Sequence, residues 1–327
     1  MAGQITGLGT TYNLPNYTGI LHALTPTDTP FFSAIGGLTG GGQTDSTEFE
    51  WQSYDLRAAG QNVALEGADA PTGQERVRGN VSNICQIQHE TVAVSYTKLA
   101  AVQAKAGVNN AARNPVTNEA DWQIEQMLKQ MVRDIEYSFV RGTYNKPANN
   151  TTARRTRGIL EAITTNVVAV DGGAGAAGPL TADLVLDLMQ MAWENGGIQE
   201  QETATLMCGA VQKRNLTTLF VTNKKYEEQS RNVAGVSVQT IETDFGRVNL
   251  MLNRHMPATE VALVSLEQCM PVYQEIPGKG HFFAEPLART GATDRTQLYG
   301  EVGLMYGNER THGKITNLTT TVIAPSA

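Results

Sequence analysis

The longest uninterrupted helical pattern in the chain runs over residues 118–142. Ile124, Leu128, Met131, Ile135 and Phe139 recur at steps of four, three, four and four, which stacks them on one face of an α-helix. Lys129, Arg133 and Glu136 fall on the far side, and Trp122, Tyr137 and Val140 join that otherwise polar face. Asn118 suits the N-cap, Glu119 and Asp121 the positive end of the helix dipole, Arg141 the negative end, and Gly142 a left-handed stop. A helix of this length spans about 37 Å. Before it, over residues 47–94, the period falls to two. Thr47, Phe49 and Trp51 share one face; Ile84, Gln86, Gln88, Glu90, Val92 and Val94 alternate with Asn83, Cys85, Ile87, His89, Thr91 and Ala93. A polar middle, residues 56–80, separates the two runs. Two long strands around a broad tip predict a β-hairpin. Neither strand has a clean apolar face and a lone hairpin is marginal in water, so its other layer is expected on a neighbouring molecule.

Residues 1–45 contain no Lys or Arg, and their acids are Asp28 and Asp45. They hold too little apolar surface to fold alone and too little charge for a solvated tail, which predicts an extended arm anchored by Phe31, Phe32 and Ile35. A linker (100–116) leads to the long helix. After it the pattern predicts a second helix over 181–195, with Thr181 as N-cap and Leu184, Leu188 and Met191 on its apolar side. A strand at 203–208, a helix at 210–219 and a charged loop at 223–232 follow. Strands come next at 236–240, 247–253, 261–266 and 271–274, and a β-rich block over 281–318 closes the chain. The fold class is α+β, with two core regions and two projecting arms.

Composition narrows the function. Apolar content is 41%, charged content 17%, net charge −7, and Gly numbers 32, a profile of β structure with much contact surface. An acidic chain without clustered Lys and Arg does not bind nucleic acid tightly. Cys85, Cys208 and Cys269 are odd in number and form no CxxC pair, so neither a disulfide framework nor a zinc site is expected, and a reducing cytoplasm fits. The N-terminus has no basic and apolar signal pattern, and no run reaches membrane-spanning length.

The chemical motifs fail in turn. GAGAAG, with Gly173, Gly175 and Gly178, follows an apolar run and precedes a helix, as a dinucleotide loop does. Pro179 and the cap at Thr181 place the helix start beyond the last glycine, however, and no acid stands where a ribose hydroxyl needs one; a Gly/Ala linker is the favoured reading. His89-Glu90 begins an HExxH-like string but has Ala93 in place of the second His, on a strand. His22, His255, His281 and His312 are isolated. The basic groups Arg154–Arg157 and Lys224–Lys225 are too small for a duplex-binding face. No catalytic residue, metal ligand or cofactor is expected.

The order of a basic-free arm, a long hairpin, a spine-length helix and two α+β cores resembles the HK97-fold major capsid proteins of tailed phages. DTPFFSAIG (28–36), RTRGILEAI (155–163) and TDFGRVNLMLNRHMP (243–257) strengthen the likeness. The resemblance implies an N-terminal arm at 1–45, an E-loop hairpin at 46–98, a peripheral domain at 99–180 and 277–327 that includes the spine helix 118–142, and an axial domain at 181–276. It implies a structural subunit, not an enzyme, that assembles through pentamers and hexamers into an icosahedral shell around packaged DNA. The location is the virion, after assembly in the host cytoplasm. Its partners are copies of itself, with portal, scaffolding or decoration proteins as further candidates, DNA only by weak contact, and no membrane. The charged loop at 223–232 is expected near the capsomer axis.

Some relatives in that family lock their shells with an isopeptide bond from an E-loop Lys. Here no Lys precedes Lys98, so no such crosslink is expected. The chain starts close to the arm, so no N-terminal scaffolding domain is expected. Phe31 and Phe32 are expected to pin the arm, and Phe49 and Trp51 the hairpin, to a neighbouring subunit, with Trp122 as a further contact. Three other readings compete. An encapsulin-like compartment shares the fold but loads an enzyme cargo. A cytoplasmic α+β nucleotide-binding enzyme would use GAGAAG and lose binding in Gly175→Asp. A tail or decoration protein would not need the long helix between two arms.

Overall fold

In the computed structural model the described residues are 24–100, 116, 118–198, 204–223, 229–233 and 236–323. The elements in order are α1 (Pro30–Ala34), β1 (Gly42–Thr44), β2 (Glu48–Tyr54), β3 (Arg78–Ile84), β4 (Gln86–Ser95), α2 (Tyr96–Ala100) and α3 (Glu119–Arg141). Then come α4 (Ile159–Ala162), β5 (Val167–Ala169), α5 (Ala182–Glu194), β6 (Ala204–Cys208), α6 (Ala210–Leu216), β7 (Gln229–Val233), β8 (Val236–Thr243) and β9 (Gly246–Leu252). The last are β10 (Val261–Ser265), β11 (Met270–Gln274), β12 (Phe282–Pro286), β13 (Thr293–Met305) and β14 (Gly313–Thr316). The mixture is α+β, as expected. The described residues form two compact units: those within 24–28, 89–133 and 282–299 make one, and those within 29–88, 134–281 and 300–323 the other.

The larger unit is built on a seven-stranded sheet in the order β5-β14-β10-β6-β9-β8-β7. β6 and β10 pair antiparallel, Cys208 opposite Val261 through Ala204 opposite Ser265, and every residue of both strands is buried. Central strands covered on both faces read as continuous apolar runs, which is why ATLMC and VALVS lack alternation. Leu206, Val261, Leu263, Val248 and Leu250 form one core with Val185, Leu188, Met189 and Ala192 of α5 and with Leu216 and Phe220. Thr181 caps α5 by accepting from the Leu184 amide at 3.3 Å, as its residue type predicts. The buried stripe is rotated from the expected one. Leu188 lies in it with Val185, Met189 and Ala192, but Leu184 and Met191 are only half-buried.

The hairpin forms, in antiparallel register from Glu48 opposite Ile84 to Tyr54 opposite Arg78. The expected return strand breaks at Cys85, however. Residues 78–84 pair with β2, whereas β4 leaves to pair with β13. In the larger unit β11 lies between β1, parallel, and β13, antiparallel. In the smaller unit the turn from β12 into β13 is closed by the Leu287 amide on the Arg295 carbonyl, and the Tyr96 amide bonds the Ala292 carbonyl.

Helix α3 matches the expected span to within one residue at each end. Asn118 caps it, its side-chain oxygen accepting from the Ala120 amide at 3.1 Å. Met131, Ile135 and Phe139 are buried as the period requires; Ile124 and Leu128 are half-buried. Two residues assigned to the polar face are not there: Val140 and Glu136 are both 0% exposed. Gly142 does end the helix, but not through a left-handed conformation. A Cβ there would lie 2.3 Å from the Ser138 carbonyl oxygen and 2.6 Å from that of Thr156, so glycine is required by the close passage of the 156–158 backbone. Of the charged loop expected at 223–232, residues 224–228 lie outside the described ones, and 229–233 is strand β7, paired with β8. Residues 1–23 of the arm and 101–115 of the linker also lie outside them.

Candidate assembly surface

The hairpin is fastened at its root and bare at its tip. Phe49, buried, stacks on Trp51 with ring centroids 6.0 Å apart, in a cluster with Cys85 and Val272. Trp51 meets Tyr306 edge-on at 4.9 Å, and its indole N–H donates to the Gly307 carbonyl at 2.7 Å. Asn83, fully buried, bridges strands. Its amide donates to the carbonyls of Leu304 (2.6 Å) and Arg157 (3.2 Å), and its oxygen accepts from the amides of Ile84 and Arg157 (2.9 Å each). All four of its hydrogen-bonding positions are thereby used, the condition for burying such a group without penalty. Lys146 clamps Glu48 by a hydrogen-bonded ion pair, which holds the carboxyl below its ordinary range and the ammonium above its own. Arg157 lies 4.4 Å over the Tyr144 ring and donates to the Tyr306 hydroxyl.

Beyond this root, residues 55–77 carry no helix or strand and are exposed. Leu65 is 86% exposed, Val63 82% and Val77 78%, with Tyr54 and Leu56 at 69%. Four large apolar side chains on this loop, with Tyr54 beside them at the end of β2, are exposed apolar surface of the kind that partners cover. A groove of about 840 Å³ runs along the root, lined by Tyr54, Asp55, Arg157, Glu161, Tyr306 and Arg310 among others.

The expected contact residues therefore distribute differently. Phe31 and Phe32, at 0% and 1% exposure, present no surface to a neighbour; they plug into their own chain, with Phe32 edge-on to Phe139 at 5.7 Å. Phe49 and Trp51 fasten the hairpin to its own subunit. Trp122 is half-buried on α3. The tip residues carry no periodicity, being isolated apolar residues in a polar stretch, so the pattern gives no sign of them. Helical spacing registers the charge of Glu136 but not the partners that make its burial tolerable.

In the GAGAAG turn the Asp171 carboxylate already accepts from the amides of Gly173 and Gly175 at 2.9 Å each. The Asn317 side chain bonds the carbonyls of Val170, Gly175 and Ala176. The amides a phosphate would need are thus occupied by a fixed anion, and the segment is a braced turn, not a loose linker. His89 lies on β4 with its ring 6.4 Å from Tyr299. Among the described residues, no group of His, Cys, Asp or Glu has the arrangement of a metal site, and no helix is long and apolar enough to cross a membrane. The three cysteines are buried thiols. Burial pushes Cys85 and Cys208 up to about 12, and Cys269 higher still.

Comparison with known proteins bears on the family and the fold. The chain is 30% identical over 128 residues to the major capsid protein of Escherichia phage Phieco32, a match over 39% of this chain and 32% of that protein's length. The fold is similar to the capsid of cyanophage A-1(L), at TM-score 0.64 and 11% identity over 94% of this chain and 98% of that one. It is also similar to the SrpI encapsulin of Synechococcus elongatus PCC 7942, at TM-score 0.58 and 11% identity over 94% and 96%. The architecture is thus the HK97-like one, which phage capsids and an encapsulin share and which alone does not separate them. The family model of the SU10 major capsid protein does separate them: it matches residues 4–319, and the chain belongs to that family of shell-forming structural subunits.

Proposed function

We propose that this chain tiles, through pentamers and hexamers, the icosahedral shell that encloses packaged phage DNA. The observation that carries the reading is the hairpin, whose root is fixed in its own subunit while its tip exposes Leu56, Val63, Leu65 and Val77. Such a ribbon gains its second layer from the next copy, and many weak contacts of this kind add strongly once each subunit engages several neighbours. In this reading residues 1–45 are the arm, 46–98 the E-loop, 99–180 and 277–327 the peripheral domain, and 181–276 the axial domain. Trp122 is a further inter-subunit contact. The role is structural and non-enzymatic, assembly takes place in the host cytoplasm, and portal, scaffolding or decoration proteins act on the same shell.

The test is sedimentation and negative-stain microscopy of the protein and of Val63→Asp/Leu65→Asp. Wild type should give shells or hexamer sheets, and the double variant soluble subunits with unchanged circular dichroism. Equal assembly of both refutes the role of the tip. Nuclease-protected DNA in particles from infected cells separates a phage shell from an encapsulin-like compartment carrying a protein cargo.

A further inference from the structure

Glu136 is fully buried toward the C-terminal end of α3, and distant segments converge on it. The Phe31 amide donates to Oε1 at 3.0 Å and the Phe32 amide to Oε2 at 2.6 Å. The Asn253 side chain, just past β9, donates to Oε1 at 2.5 Å. Asn253 is itself tied to the large sheet: its amide bonds the Cys208 carbonyl, and its side-chain oxygen accepts from the His255 amide.

Helix α1, by contrast, has little of its own. It is five residues long, and Thr29 makes no side-chain cap bond. A helix of that length does not persist alone, and its first amides need an external acceptor. Glu136 is that acceptor. The segment leads directly into glycines 36, 37, 40, 41 and 42, with Gly36 and Gly37 at φ of 129° and 58°. The Tyr273 hydroxyl of β11 holds the Gly37 carbonyl at 2.6 Å, so the segment that opens ends before this turn.

We propose that residues 29–35 form a releasable latch on α3, keyed by Glu136. Closure of the latch is coupled to the seating of the Asn253 side chain at the end of β9, because the same carboxylate accepts from both. The latch is a property of the subunit itself and stands independently of how shells assemble. It opens as a unit, below the free energy of global unfolding, and presents Phe31 and Phe32 while the β6–β10 core stays closed.

Hydrogen exchange on the unassembled full-length chain tests this. In wild type the Phe31 and Phe32 amides should exchange together, with weak denaturant dependence, while β6 and β10 amides exchange only with global unfolding. Glu136→Gln should speed exchange of those two amides by about tenfold or more, through loss of charge-assisted hydrogen bonds. It should also admit chymotrypsin after Phe31 and Phe32. Asn253→Ala, which touches neither amide, should speed the same two. The latch is refuted if the wild-type amides exchange only at the global rate, a result that needs no variant to fold. The coupling is refuted if Asn253→Ala leaves them unchanged.

Discussion

Adding one methyl group at Gly303 should loosen the hairpin at its root. Gly303 lies on β13 with ordinary extended backbone, so its need for glycine is one of space. A Cβ there would meet Phe49 Cε1 at 2.5 Å, Phe49 Cζ at 2.9 Å and the Ile84 carbonyl oxygen at 2.9 Å. The Phe49 ring has nowhere to retreat, since it is buried against Cys85 and Val272 and stacked on Trp51. Forcing a methyl into such a site costs about 1–3 kcal/mol. With an unfolding entropy near 2.1 cal/mol/K per residue, about 0.7 kcal/mol/K for this chain, the melting point should drop by about 1.5–4 °C. Urea unfolding of the unassembled subunit gives the free energy directly. Gly42→Ala is the control, because a Cβ there meets its nearest atoms at 3.6 Å, ordinary contact distance, and should change stability by less than about 0.5 kcal/mol. Phe49→Leu in the Gly303→Ala background should recover about 1 kcal/mol relative to its effect alone. If Gly303→Ala is as mild as Gly42→Ala, or the double variant shows no coupling, the close approach of β13 to the hairpin does not limit stability.

Three further outcomes follow from groups held by burial or by hydrogen bonds. His312 accepts from the Ser265 amide through Nδ1 and donates to the Tyr306 carbonyl through Nε2. Burial holds the imidazole down at about 4, against the upward pull of that carbonyl and of Glu309. The unfolded chain thus binds the extra proton between pH 6.5 and about 4, so stability is lost as pH falls through that window, by at most about 1.4 kcal/mol per pH unit; His312→Gln should flatten this limb in urea midpoints. Burial alone would raise Glu309, but hydrogen bonds from Thr165 and Thr164 outweigh it and hold the carboxyl below its ordinary 4.5. Its contribution is therefore whole above pH 4.5 and is lost on further acidification, a second limb that Glu309→Gln should remove. Cys85, Cys208 and Cys269 should all resist an aromatic disulfide reagent at pH 8 in the native subunit and titrate as three thiols after denaturation, because burial keeps each protonated. Rapid native labelling of any one would contradict its buried position.

The sequence by itself determined the elements whose signal is local. Periodicity located α3 and its buried residues Met131, Ile135 and Phe139. Side-chain chemistry placed the caps at Asn118 and Thr181, and alternation located the first strand of the hairpin. Order along the chain, with the strings at 28–36, 155–163 and 243–257, carried the resemblance to the capsid fold. Tertiary structure decided what depends on partners distant in sequence. Whether Phe31 and Phe32 face a neighbour or their own helix turns on Glu136, more than a hundred residues later. A charge in a helical pattern reads as exposed until its donors are known, and those of Glu136 come from residues 31, 32 and 253. The break at Cys85 was equally hidden, because β3 and β4 form one continuous alternating run. The run divides because β2 ends its pairing at Ile84 while β13 offers β4 an edge, and strand pairing is chosen by which edge lies alongside, not by the residues of the strand alone.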